Sequence, residues 1–128
     1  KCVFCDLKDK YILCEENGLV VTVNLFPYID GHLLVIPRRH VENFVDLTED
    51  EVKTWFKLAR KSVEILRRKM KTQGFWLLLR DGNNSGKTVK HLHWQIMPYF
   101  EGIVEWHYQK ISLSPLDLAV RLRPEFNQ

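Results

Sequence analysis

At 128 residues, with 45% hydrophobic and 27% charged side chains, the chain is long enough to bury a core and has the balance of an ordinary globular domain. No apolar run reaches the length of a membrane span and no signal-peptide pattern opens the sequence, so neither a membrane role nor secretion is expected and a cytoplasmic setting is. The net charge of +3 suits an anionic small molecule and is too slight an excess to point to nucleic acid.

Three cysteines, an odd number, argue against a disulfide scaffold and for a reducing compartment. Cys2 and Cys5 form a C-x-x-C pair with the spacing of zinc ligands, although such a pair needs two more donors. Cys14 lies in the apolar stretch Tyr11-Ile12-Leu13-Cys14 and reads as a core thiol. Tyr11–Glu15 and Leu19–Asn24 read as strands joined by the hairpin signal Asn17-Gly18. A loop marked by Phe26-Pro27 and Asp30-Gly31 leads to a strand, His32–Ile36, stopped by Pro37.

Thr48 with Glu51 three residues on is a capping box, and it opens a long helix. Val52, Trp55, Phe56, Ala59, Val63, Leu66 and Met70 form its apolar stripe. Glu49–Lys53 and Glu64–Arg68 are spaced as surface ion pairs. The basic cluster Arg67, Arg68, Lys69 and Lys71 closes the helix where cations favour its dipole, and Gly74 ends the region. Phe75–Leu79 is a further strand, followed by the Gly/Asn-rich loop Asp81–Lys87 and a strand carrying His91 and His93. Trp106, Tyr108 and Ile111 alternate as another strand would, and Pro115–Leu122 reads as a short helix. The whole predicts one α+β domain over residues 1–128, one long helix packed on a meandering antiparallel sheet.

The densest chemical signal is His91-Leu92-His93-Trp94-Gln95-Ile96. Along an extended chain, side chains alternate between faces, so His91, His93 and Gln95 share one face while Leu92, Trp94 and Ile96 anchor the other. Alternation alone is ordinary for a half-solvated strand, and the Gly/Asn loop alone is an ordinary turn. Together they suit the holding of a phosphate.

The stretch Asp81-Gly82-Asn83-Asn84-Ser85-Gly86-Lys87-Thr88-Val89-Lys90-His91-Leu92-His93 resembles the signature of the histidine triad (HIT) superfamily, in particular its fragile-histidine-triad branch of dinucleoside polyphosphate hydrolases. Asn24-Leu25-Phe26-Pro27-Tyr28-Ile29-Asp30-Gly31-His32-Leu33-Leu34-Val35-Ile36-Pro37-Arg38-Arg39-His40 resembles the family's nucleoside-binding strand pair. Cys2 to Asp6 resembles the opening of many members. Residues 104–128 carry no resemblance.

The resemblance implies an enzyme, a nucleotide hydrolase or nucleotidyltransferase acting through a nucleotidyl-histidine, with His93 as nucleophile. Amides around Gly82, Asn83 and Gly86 and the Thr88 hydroxyl would stabilise charge on the phosphoryl oxygens. Asn24 would reach the ribose and Leu25 and Phe26 the base, although Phe26 could equally be core. His32 matches a supporting position. Two residues depart from the hydrolase pattern. Gln95 stands at the third histidine and Lys87 at the loop's usual glutamine. Glutamine cannot act as an acid but can hold an oxygen, which favours leaving groups that need no proton, such as polyphosphates or sugar phosphates. H-x-H-x-Q is also the pattern of related phosphorylases and uridylyltransferases, so phosphate or a sugar phosphate could replace water as acceptor. The absence of a second repeat tilts the reading to a hydrolase.

In zinc-containing relatives, positions matching His40 and His91 complete a closed structural set with the two cysteines, here Cys2, Cys5, His40 and His91, so zinc is the expected cofactor. Two unligated thiols are the alternative. A nucleotide-binding sensor with incidental chemistry remains open. A DNA-adenylate-removing enzyme is disfavoured, because the zinc finger and basic surface of that relative are missing. The resemblance further suggests a homodimer built on the long helix and a sheet edge.

Overall fold

A computed structural model describes residues 2–81, 89–99 and 110–128. Five strands, β1 (Ile12–Glu16), β2 (Leu19–Val23), β3 (Leu33–Pro37), β4 (Gly74–Leu79) and β5 (Trp94–Tyr99), form one antiparallel sheet in the order β1-β2-β3-β5-β4. Two helices, α1 (Glu49–Met70) and α2 (Pro115–Phe126), pack on it, so the α+β class expected from the sequence holds. The proposed strand around Trp106 and Tyr108 falls outside the described residues.

The β1–β2 hairpin turns on Asn17 (φ 48°) and Gly18 (φ 77°). Two successive positive φ values are what a two-residue turn matched to strand twist requires. Strand β3 runs on through Pro37, which pairs with Leu19 at the ladder's last rung. A proline is tolerated there because only its carbonyl is needed. His32 falls outside β3, but its carbonyl accepts from Asn24 N–H and keeps the two chains in register.

Period-2 alternation divides the sheet into two working faces. Leu19, Val21 and Val23 of β2, Leu33 and Val35 of β3, and Trp94 and Ile96 of β5 join Leu58, Ile65, Leu66, Leu118, Leu122 and Phe126 in one core under the helices. The opposite face carries the cross-strand row Thr22, Leu34 and Gln95, set by the pairs Thr22–Leu34 and Leu34–Gln95.

Helix α1 begins as its sequence predicts. Thr48 accepts from Glu51 N–H at 3.1 Å and Glu51 accepts from Thr48 N–H at 2.8 Å. Its buried face keeps Ala59 and Leu66 of the predicted stripe, with Trp55, Val63 and Met70 packed against the core. Thr54, Leu58, Ala59, Ser62, Ile65 and Leu66 are buried, whereas Phe56 is 62% exposed. Two hydroxyls satisfied locally explain why polar positions lie inward: Ser62 donates to the Leu58 carbonyl and Thr54 accepts from Asn17. Gly74 does not end this helix. Lys71, in the left-handed conformation (φ 54°), caps it, and Gly74 opens β4, where a Cβ would stand 3.1 Å from the Tyr99 carbonyl oxygen. Arg68 leaves Glu64 to meet Glu125 at 3.0 Å, joining α1 to α2. The second helix, capped by Ser114 with Pro115 in its first turn, runs four residues beyond its predicted end because buried Phe126 anchors its last turn in the core.

Candidate active site

Strand pairing on β5 begins at Trp94, whose partner is Val35. His91 and His93 therefore precede the strand instead of lying within it. The chain there departs from β3 and bonds elsewhere, with Leu92 N–H donating to the Val41 carbonyl at 2.6 Å. The alternation nonetheless survives: His93 and Gln95 both border a cavity of about 940 Å³ above the Thr22–Leu34–Gln95 row. That volume is in the range of small-molecule sites. His91 does not border it. It is fully buried and turned toward the N-terminal cysteines.

The His93 ring is oriented by its own neighbourhood. Its Nδ1 lies 2.9 Å from the His91 carbonyl oxygen. A carbonyl only accepts, so Nδ1 carries a proton, and in the neutral ring the lone pair is on Nε2. The Phe4 ring packs edge-on against this imidazole with centroids 4.9 Å apart.

Gln95 is held from behind. Tyr28 N–H donates to His32 Nδ1 at 3.1 Å, which forces the His32 proton onto Nε2, 3.0 Å from Gln95 Oε1. The carbonyl end of Gln95 is thus engaged, and its NH2 is the end left for the cavity that Gln95 lines. Burial pushes His32 down to about 4, the Gln95 contact opposing only part of that. The ring is neutral at pH 7, which the two hydrogen bonds also demand.

Asn24, Leu25 and Phe26 line the same cavity. The Asn24 side-chain Oδ1 accepts from Phe26 N–H at 2.8 Å, curling the chain so that Phe26 stands 75% exposed at the rim, which excludes the core reading of its ring. Arg80, Lys8 and Tyr28 also line it and were missed by sequence reasoning. Arg80 directly precedes the Gly/Asn loop, and a cation so placed was the available signal. Asp81 fixes the start of that loop by accepting from Phe44 N–H at 2.7 Å, and Val89 at its far end borders the cavity. Asn83, Gly86, Lys87 and Thr88 lie outside the described residues.

A second cluster adjoins the first. Cys2, Cys5, His40 and His91 bring one donor atom each within 4.8 Å of one another. The His91 Nδ1 is 3.4 Å from both sulfurs, and His40 Nδ1 is 3.3 Å from that of Cys5. Zinc bonded at about 2.3 Å to sulfur and about 2.0–2.1 Å to nitrogen would hold such donors about 3.5 Å apart in a tetrahedron. Each histidine turns its other nitrogen to an acceptor, His91 Nε2 to the Pro37 carbonyl at 2.7 Å and His40 Nε2 to Glu42 at 2.9 Å. That outer support is what metal-binding imidazoles use. Burial holds His91 below its ordinary range, favouring the neutral ligand form. Cys14 is half-buried against the core and away from this cluster, and its thiol is pushed up by burial.

Fold and site together define an α+β protein that presents a histidine, just ahead of a sheet strand, to a cavity of small-molecule size. The chain belongs to the HIT domain family, whose model matches residues 7–102. It is similar to the AP-4-A phosphorylase of Mycobacterium tuberculosis, with 32% identity over 99 residues, 70% of this chain and 51% of that protein. It is also similar to the bis(5'-adenosyl)-triphosphatase of Dictyostelium discoideum, with 36% identity over 76 residues, 59% of this chain and 51% of that one. The chain thus spans about half the length of each. A Zn-bound histidine triad family protein from Mycobacterium smegmatis shares the fold, with a TM-score of 0.80 at 22% identity across 100% of this chain and 94% of that one. Among the described residues no helix is long and apolar enough to cross a membrane.

Proposed function

We propose that this protein is a nucleotidyl hydrolase or transferase that cleaves dinucleoside polyphosphates at the α-phosphorus through a nucleotidyl-histidine on His93. The observation that carries this reading is the His93 Nδ1 to His91 carbonyl bond of 2.9 Å beside a nucleotide-sized cavity, because it leaves Nε2 as the nucleophilic nitrogen. Nε2 forms a bond to phosphorus as the bond to the leaving polyphosphate oxygen breaks. An acceptor oxygen then displaces His93 and restores the free imidazole. Cationic Arg80 and Lys8 supply charge for the phosphates. The Gln95 NH2 donates to a phosphoryl oxygen, and Asn83, Gly86, Lys87 and Thr88 cradle the rest. Asn24 takes the ribose, and Leu25 and Phe26 pack the base. Residues 1–128 act as one domain, in the cytoplasm.

Gln95 favours a second reading for the acceptor. A glutamine neither gives nor takes a proton, so the departing group leaves unprotonated; inorganic phosphate enters through an anionic oxygen, whereas water must shed a proton to solvent as it attacks. The similarity to an AP-4-A phosphorylase supports phosphorolysis, and that to a triphosphatase supports hydrolysis. Incubating the protein with diadenosine tetraphosphate, with and without inorganic phosphate, decides between them. AMP as the product marks a hydrolase, and phosphate-dependent ADP a phosphorylase. If neither forms and no labelled nucleotide is trapped on His93, the reading fails.

Zinc is the cofactor that the Cys2, Cys5, His40 and His91 set suits, in a closed site with no open position. Bound there, it would supply a structural cross-link between the N-terminus and the approach to β5.

A further inference from the structure

The segment from Cys2 to Lys8 belongs to the site as much as to the metal cluster. It forms only short-range backbone turns, Cys5 N–H to the Cys2 carbonyl and Asp6 N–H to the Val3 carbonyl. The two cysteines tie it to His40 and His91. Phe4 sits inside the turn they close. Its ring meets His93 edge-on at 4.9 Å and His91 at 6.1 Å, and it lines the same cavity as His93 and Gln95.

We infer that Phe4 is a positioning residue that clamps the His93 ring, and that the metal-held turn is what seats it, so that metal occupancy and nucleotide binding are thermodynamically coupled. This rests on the nucleotide-binding reading above. The physical basis is simple. The His91 carbonyl holds the His93 ring at Nδ1, and Phe4 packs edge-on against it. Tilting the imidazole would have to displace Phe4, which also excludes water from one side of the ring. Without a metal, four donors that would be drawn together by one ion lose their common partner, and the turn carrying Phe4 loses its seat. Any ligand that needs His93 in its fixed pose must then reorder it, and the coupling is reciprocal.

The test has a nucleotide-free arm and a nucleotide arm. In zinc-loaded protein, the His93 ring protons should show cross-peaks to Phe4 by NMR. Stripping zinc should abolish them. In zinc-loaded Phe4→Ala, the His93 signals should leave their parent positions, and Phe4→Tyr should restore them. The alanine variant is read in the metal-bound state, so this arm stands even if stripped protein unfolds. Cobalt(II) should bind Phe4→Ala with the same tetrahedral thiolate spectrum as the parent, showing that the ligand set is intact. AMP affinity should fall about tenfold on stripping zinc from the parent, and Phe4→Ala should show no such dependence. The inference is overturned if the His93 signals ignore both zinc and Phe4, or if AMP binding by Phe4→Ala responds to zinc as the parent does. Should His93 respond as expected while no nucleotide binds, the clamp stands and the nucleotidyl reading is what fails.

Discussion

His93 is oriented through the His91 carbonyl and Gln95 through His32, and each makes a different demand on substitution. Replacing His93 by alanine removes the proposed nucleophile, so turnover should vanish while AMP binding survives. Retained turnover would move the nucleophile elsewhere. Gln95→Glu keeps an oxygen for the His32 Nε2–H but replaces the cavity-facing NH2 by a carboxylate. Loss of one donor to a developing phosphoryl charge should lower kcat by about 10²–10³-fold, and a variant within a few-fold of the parent would show that Gln95 makes no such contact. His32 adds a pH dependence. Its folded value of about 4 lies below the ordinary value near 6.5 because the ring is buried. Between those two values the unfolded chain binds a proton that the folded chain refuses, so stability is full above about pH 6.5 and drains as pH falls to about 4. The gap corresponds to about 3 kcal/mol. Urea unfolding at pH 7.5, 5.5 and 4.5, for the parent and His32→Gln, checks it, since the variant should lose that part of the slope. Sequence alone singled out His93 and Gln95 by their spacing. It could not orient Gln95, because an amide's direction is set by what stands behind it, here a histidine 63 residues away.

At the scale of elements, the legible parts were those governed by local rules. The Asn17-Gly18 turn and the Thr48–Glu51 box needed only their own neighbours. The box satisfies two amides that would otherwise face solvent unpaired, so Thr48→Ala should cost about 1 kcal/mol in denaturant unfolding. A change within error would mean that the helix start carries no net weight. The illegible parts were decided by partners remote in sequence. His91 and His93 alternate as a strand would, yet β3 stops offering pairs at Val35, so the ladder begins at Trp94. The α1 stripe was legible in part: Ala59 and Leu66 lie in the core and Trp55, Val63 and Met70 pack against it, whereas Phe56 turns outward and the helix shows a second apolar face. Leu58 and Ile65 were claimed by the sheet, while Phe56 faces a groove that Trp55, Ala59 and Val63 line as well as touching the core. A hydrophobic period tells which residues are apolar on a helix, not which of two faces its own chain will cover.

That second face raises the question of assembly. Strand β4 ends the sheet, and among the described residues nothing pairs with its outer edge. Leu77 at its middle is 51% exposed and lines a groove of about 290 Å³ with Trp55, Phe56, Ala59 and Val63 of α1. An apolar edge strand beside an apolar helix face is a liability that proteins ordinarily cover. A second copy meeting it about a two-fold axis would lay edge against edge and helix against helix, the closed arrangement in which one patch serves both sides. The parent should therefore sediment as a dimer at micromolar concentration. Leu77→Glu places a carboxylate against its symmetry mate and should shift the protein to monomer. If the site is complete within one chain, as the cavity's lining suggests, the His93 signals and AMP binding of that monomer should stay within a few-fold of the parent. A parent that sediments as a monomer, or a glutamate variant that stays dimeric, would remove this face from the interface.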